Sequence, residues 1–343
     1  MNFINECFRQ HSCWKFHALQ ESSWEWVTLT ICYEDDRWTV SSSPNWDKSE
    51  LISLYWASDL LRSPSESELS EWLMQQHKNQ RVKGLAPDTN LIIPGFMTNY
   101  LKRLAESPHD IIPVLVLIAR SINFELHSMA PFKYGKVLSE EAEINLLDSL
   151  NKWPPIREVW NLRSQNLIGQ IRSLNDGRGR MGMKGNYEVD LLHSWAPVIL
   201  VKPPHIYHSP KVLEDTPFLN AIHDSLIRYE IDFLRQNTSL PTLFLSNDRD
   251  QCKSATQEGL EVLHIQRPQY TSDINTIASS YLNTERIKQL ILGLLVLSPC
   301  LRLTSSIGAY FLSWTWLGRS MDDVDQHRVR IIDFQGESLF VKP

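Results

Sequence analysis

Pro241-Thr-Leu-Phe-Leu-Ser-Asn-Asp-Arg-Asp250 is the stretch on which the reading of this chain turns. Thr-Leu-Phe-Leu has the apolar, β-prone character of a short buried strand, and it ends in the polar cluster Ser246-Asn-Asp-Arg-Asp250. The next segment, Gln251 to Glu258, reads as a helix stopped by Gly259, and Leu260-Glu-Val-Leu-His-Ile265 supplies a further strand. Strand, helix and strand in so short a span indicate parallel strands covered by helices.

Upstream, the same alternation continues. Leu85-Ala-Pro-Asp-Thr-Asn-Leu-Ile-Ile is a short apolar strand meeting an acidic loop. Ile111-Ile-Pro-Val-Leu-Val-Leu-Ile118 begins as a strand and passes into a helical run through Leu126. The predicted class is therefore α/β, with a parallel sheet flanked by helices over residues 84–268. A basic, Arg/Gly-rich insertion over 152–190 interrupts it.

The ends read differently. Residues 1–80 hold seven of the chain's twelve tryptophans and 12 Asp/Glu against 6 Lys/Arg. Within them, Trp24 to Tyr33 and Trp38 to Ser41 read as a hairpin around Glu34-Asp-Asp-Arg37, and two helical patterns follow from Ser49 and Ser65. This predicts an acidic, Trp-rich α+β domain, a candidate for docking a protein partner. Residues 269–343 predict an extension with a helix over Thr284 to Leu297 and a strand from Val329.

Composition removes several function classes. The chain has 343 residues, with 34 Lys and Arg against 40 Asp and Glu, a net charge of −6 that excludes a globally basic coat. No signal peptide is apparent at the start, and the most apolar run, Ile287 to Pro299, is shorter than the roughly 20 residues a membrane helix needs. Five cysteines at 7, 13, 32, 252 and 300 form no CxxC pair, which argues against a disulfide framework or a zinc knot. The expectation is a reduced, cytoplasmic protein with no membrane contact. Its oligomeric state is not set by the sequence.

Four acids stand where a parallel sheet gathers ligands. Asp88 follows the first strand and Asp248 follows Pro241–Leu245, both at carboxyl ends of strands, where open α/β sheets bind ligands. Glu125 lies between Phe124 and Leu126 in a helical run, and Asp224 enters another through Asp-Ser-Leu-Ile227. Clustered carboxylates repel one another and lose hydration, so they are tolerated mainly beside a divalent cation. An all-oxygen donor set suits Mg²⁺ or Mn²⁺. Such ions lower the pKa of water and hold phosphate oxygens for in-line attack. Asp88 and Asp248 could also be plain caps, Glu125 an ion-paired acid and Asp224 a first-turn acid.

These residues resemble the PIN domain, a metal-dependent nuclease fold. The resemblance rests on Asp88-Thr-Asn, Glu125-Leu, Asp224-Ser-Leu-Ile227, and above all Phe244-Leu-Ser-Asn-Asp-Arg-Asp250 with Ala255 and Gly259-Leu. It covers about half the chain, and the long span between Glu125 and Asp224 is similar to larger members in which an Arg/Gly segment intervenes. It implies an endonuclease in which Asp88, Glu125, Asp224 and Asp248 bind one or two Mg²⁺ or Mn²⁺ ions, with RNA as substrate and 5′-phosphate ends as product. Asn90 and Ser246 would orient the acids and Asp250 would assist. Glu140, Glu141 or Glu143 could replace Glu125, and Glu214 or Asp215 could replace Asp224.

The insertion carries seven Lys/Arg against two acids between Lys152 and Lys184. In Asp176-Gly-Arg-Gly-Arg-Met-Gly-Met-Lys-Gly the arginine forks suit phosphates, so Arg172, Arg178, Arg180 and Lys184 are candidate nucleic-acid contacts on a flexible loop. The glycines match no nucleotide-binding fingerprint. No serine or cysteine has the setting of a nucleophile, and His223 and His264 read as structural or surface residues. Two rival readings stay open: an inactive PIN-like scaffold or protein-binding module, and a DNA-directed nuclease of a defence or mobile-element system.

Overall fold

The structure, a computed structural model, describes residues 13–20, 25–34, 37–75, 82–107, 113–129, 177–201, 216–269, 276–279, 284–298, 301–305, 309–315, 328–333 and 338–341. The chain forms two compact units. One comprises Met1–Leu61, Met129–Met183 and Gln269–Pro343; the other comprises Arg62–Ser128 and Lys184–Pro268.

The first unit contains an antiparallel sheet built from both chain ends. Its strands are β1 (Cys13–Gln20), β2 (Glu25–Glu34), β3 (Arg37–Ser42), β9 (Thr276–Ser279), β10 (Leu301–Thr304), β11 (Ala309–Thr315), β12 (Arg328–Asp333) and β13 (Ser338–Val341). They lie in the order β13-β12-β11-β10-β1-β2-β3-β9. Alternation fixes the buried face: Trp14, Phe16 and Ala18 of β1 and Val27, Leu29 and Ile31 of β2 are buried, while Lys15 between them is exposed. Against that face packs α9 (Thr284–Leu297), which buries Ile287, Leu290, Leu294 and Leu295. It also contacts α1 (Lys48–Ala57), and Gly293 permits the approach, since a Cβ there would lie 2.7 Å from Leu54 Cδ1. Asp47 caps α1, accepting from the N–H groups of Ser49 at 2.8 Å and Glu50 at 3.0 Å, and these bonds hold its pKa below the ordinary value.

The hairpin expected at Glu34–Arg37 is present as β2–β3. The boundaries drawn at residues 80 and 269 are not those of the structure, which pairs β1 with β10 across nearly the whole chain (Phe16 opposite Leu303). Edge hydrogen bonding by β1 needs a partner strand, and nothing in its local sequence says how distant that partner is. Strand register also overturns the expectation of unpaired cysteines. Cys13 and Cys32 are direct partners in the β1–β2 ladder, their Cα atoms are 4.1 Å apart, and they form a disulfide. The buried Cys252 is a free thiol.

The second unit is the predicted α/β layer. Strands β4 (Lys83–Pro87), β5 (Val114–Ala119), β6 (Val198–Val201), β7 (Thr242–Ser246) and β8 (Glu261–His264) are all parallel, in the order β6-β5-β4-β7-β8. Helices follow the strands: α3 (Thr89–Ile92) and α4 (Phe96–Glu106) after β4, α5 (Arg120–Met129) after β5, α7 (Thr216–Asn237) after β6, and α8 (Arg249–Gln257) after β7. Burial of β4 and β7 is continuous, as expected for parallel strands covered on both faces.

Helix α2 (Glu66–Met74) belongs to this unit rather than to the Trp-rich end. Trp72 Nε1 donates to Glu261 Oε1 at 2.7 Å, and Ser65 Oγ donates to the His264 carbonyl at 3.1 Å. The Lys83 ammonium closes its C-terminus, donating to the carbonyls of Leu73 at 2.7 Å and Gln75 at 2.6 Å.

The expectation of a flexible Arg/Gly loop fails for its last part, because Gly177–Leu192 is a helix, α6. Gly185 in its middle serves close packing, since a Cβ there would collide with Leu126 Cδ2. No described helix is long and apolar enough to cross a membrane.

Candidate functional site

The parallel sheet starts at β4, adds β5 and β6 on one side, then returns to add β7 and β8 on the other. Such a reversal leaves a crevice outside the carboxyl ends of the two central strands, here β4 and β7. Pro87 pairs with Leu245, so Asp88 and Ser246 emerge side by side at that edge.

Asp88 is 5% exposed. Its Oδ1 accepts from Thr89 N at 2.7 Å, capping α3, and its Oδ2 accepts from Asn90 Nδ2 at 2.8 Å and Ser246 Oγ at 2.9 Å. Asn90 also donates to Ser246 Oγ at 3.1 Å, and its Oδ1 accepts from Asn247 N at 3.2 Å. The two strand ends are thus stitched together by the side chains expected to orient the acid.

Burial pushes the Asp88 carboxyl up to about 7, and the charges of Asp224 and Glu125 add to that. The bonds from Ser246 and Thr89 oppose it without winning. Asp224 is raised as well, first by burial and then by Glu125, with Asp248 contributing; Arg228 and a hydrogen bond from Gln251 pull it down. The four acids separated by up to 160 residues in sequence therefore share one electrostatic neighbourhood.

Each is held differently. Glu125 Oε2 accepts from Thr89 Oγ1 at 2.6 Å, which ties α5 to the residue beside Asp88. Asp224 lies more than two turns inside α7, not at its start as the sequence suggested, because the helix begins at Thr216. Asp248 is exposed and caps α8, accepting from Asp250 N at 2.7 Å and Gln251 N at 3.3 Å. No three of these acids bring oxygens within 4.8 Å of one another.

Asp250 and Lys184 do not stand where the sequence places them. The Asp250 side chain is 89% exposed and paired with Lys253 at 3.0 Å. Lys184 is 2% exposed in an ion pair with Glu188, with its ammonium 5.4 Å from the Tyr187 ring centroid; buried in this way, it offers nothing to a phosphate backbone. Arg178 and Arg180 belong to α6, their side chains lying outside what the structure describes, and Arg172 lies outside the described residues, as do Glu140, Glu141, Glu143, Glu214 and Asp215. His223 stands edge-on to Phe124 at 5.9 Å, and His264 Nε2 lies 3.2 Å from the Asn247 carbonyl oxygen.

Other residues carry the site unannounced by any motif. Arg228, one turn beyond Asp224, donates to Gln251 Oε1 at 2.6 Å and to Glu258 Oε2 at 2.9 Å, binding α7 to α8. The fully buried Glu230 accepts from Ser121 N at 3.0 Å and Ser121 Oγ at 2.9 Å, binding α7 to the N-terminus of α5. Their only signal in the sequence is their spacing from Asp224 along one helix.

A different group lies in the antiparallel-sheet unit. Cys13, Cys32 and Glu34 each place one sulfur or oxygen atom within 4.8 Å of the others, with the two sulfurs joined in the disulfide. No known family's sequence pattern matches this chain, and no curated protein matches it.

Proposed function

We propose that the parallel-sheet unit is a divalent-metal-dependent endoribonuclease of the PIN-like kind, cutting phosphodiester bonds at the β4–β7 edge. The observation that carries the reading is Asp88. A carboxyl raised to about 7 by burial among other acids is unfavourable for an isolated chain, and a bound cation would offset that burden. The donors facing this edge are carboxylates with amide and hydroxyl groups behind them, a hard-oxygen set that fits Mg²⁺ or Mn²⁺.

Asp88, Glu125, Asp224 and Asp248 would hold one or two ions, directly or through water, and Asn90 and Ser246 would fix the Asp88 carboxylate plane. The cation, when bound, supplies positive charge to phosphate oxygens and acidifies water. Thr89 orients Glu125 through its hydroxyl, and Gln251 orients Asp224 while Arg228 holds Gln251. The scaffold alternative requires Glu125 to stand away from Asp88, and its contact with the adjacent Thr89 favours the active reading. RNA rather than DNA follows from the resemblance alone.

The test is cleavage of end-labelled single-stranded RNA and DNA with Mn²⁺, Mg²⁺ or EDTA. We expect metal-dependent cutting of RNA that Asp88→Asn and Asp248→Asn each abolish. Cutting unaffected by both substitutions, or none by a folded protein with either metal, would refute the proposal. Preferential cutting of DNA would transfer the site to the DNA-directed reading.

A further inference from the structure

We propose that Cys13, Cys32 and Glu34 form a redox-gated site for a zinc-like divalent cation, closed by the disulfide and opened by its reduction. It is separate from the carboxylate site in place and in chemistry. The cysteines face each other across the β1–β2 ladder, so neither sulfur can leave the other's neighbourhood when the bond between them is broken. Glu34 follows Cys32 by two residues and therefore projects from the same face of β2. Its Oε1 already lies 3.4 Å from Cys13 Sγ. A tetrahedral zinc with bonds of about 2.3 Å to sulfur and about 2.0 Å to oxygen needs a sulfur–oxygen edge of about 3.5 Å. The existing separation matches that edge. Modest rotation of the freed sulfurs completes the third position, and water can take the fourth.

Access and charge agree with this role. Both cysteines are half-buried and Glu34 is exposed, so small thiols and ions reach the group from solvent. Opening consumes two equivalents of a small thiol: two electrons and two protons pass to the protein sulfurs, and the small thiol leaves as its own disulfide. Cation binding then releases the two thiol protons, so that two thiolates and a carboxylate, −3 together, meet a +2 ion and the site stays at −1. Two thiolates select zinc-like ions over Mg²⁺, the reverse of the oxygen donors at the β4–β7 edge.

Cobalt(II) provides the probe. Full-length protein is reduced with dithiothreitol, freed of it by gel filtration under argon, and titrated with Co²⁺. The proposal predicts a thiolate-to-cobalt charge-transfer band saturating at one equivalent, bleached by Zn²⁺ and absent from the oxidised protein. Cys32→Ser should lose the band, Glu34→Gln should bind Co²⁺ about tenfold or more weakly, and Asp88→Asn should retain it. Glu34→Gln is an exposed, near-isosteric change, so it remains informative if Cys32→Ser does not fold. No band in protein whose Cys13–Cys32 bond is demonstrably reduced would overturn the proposal. A band of unchanged strength in Cys32→Ser, or unchanged affinity in Glu34→Gln, would do so too.

Discussion

Glu230 and Ser121 lock together the two helices that carry Glu125 and Asp224: the buried carboxylate of Glu230 accepts both the N–H and the hydroxyl of Ser121. Ser121 lies one turn before Glu125 on α5, and Glu230 lies under two turns beyond Asp224 on α7. The spacing between the two acids is thereby set by a contact that neither acid makes. Glu230→Gln keeps the shape and removes the charge, and should cost about 1–3 kcal/mol in urea unfolding. Its Mn²⁺ affinity should fall while the affinity of Glu258→Gln, an exposed change on the far side of Arg228, stays closer to wild type. Equal affinity in wild type and Glu230→Gln would mean that the clamp does not set the site.

The raised Asp88 carboxyl makes stability depend on pH in a defined direction. Folded, metal-free protein keeps that proton to about 7, whereas an unfolded aspartate loses it near 3.8. Between these values the folded state binds more protons, so this contribution to stability falls as pH rises through the window. Metal-free Asp88→Asn is therefore expected to be the more stable protein at about pH 8, with the gap narrowing toward about pH 4. Saturating Mn²⁺ should stabilise the wild type and leave the variant unmoved. Denaturant midpoints across this range, with and without the ion, check both parts.

Lys184 separates structural from nucleic-acid roles. Removing one member of a buried ion pair leaves the other charge stranded, so Lys184→Met should cost about 3–5 kcal/mol, and adding Glu188→Leu should recover part of the loss. Fluorescence anisotropy with labelled RNA should give the same affinity for folded Lys184→Met as for wild type. A large loss of affinity would restore Lys184 as a backbone contact.

Gly185 gives a packing counterpart. A methyl group there meets Leu126, the neighbour of Glu125, at 2.3 Å, so Gly185→Ala should destabilise the chain by about 1–3 kcal/mol through overpacking. Thermal unfolding measures this, and an unchanged midpoint would mean that α6 shifts freely.

The parts legible in the sequence are those encoded locally. The run from Thr242 to His264 announces strand, cap, helix, glycine stop and strand, and β7, α8 and β8 lie where that pattern puts them. Asp88 was marked by its position after an apolar strand, and parallel pairing of β4 with β7 brings it beside Ser246. What depends on distant pairing was hidden. The alternation of β1 looks the same whether its partner is residue 29 or residue 303, so neither the shared sheet nor the Cys13–Cys32 bond could be read from it. The Gly-rich run of α6 resembles a loop because glycine has low helix propensity, and nothing local shows the close neighbour, Leu126, that favours glycine at position 185. Glu230 and Arg228 looked like ordinary charges on an amphipathic helix, since only tertiary packing reveals what they grip.

The central claim is that the acids around Asp88 bind a divalent cation, and a Mn²⁺ titration followed by electron paramagnetic resonance of the free ion tests it most directly. With the Cys13–Cys32 disulfide intact, the wild type should take up one or two Mn²⁺ ions, and Asp88→Asn should lose them. Wild type that binds none, or Asp88→Asn that binds as the wild type does, would contradict the account.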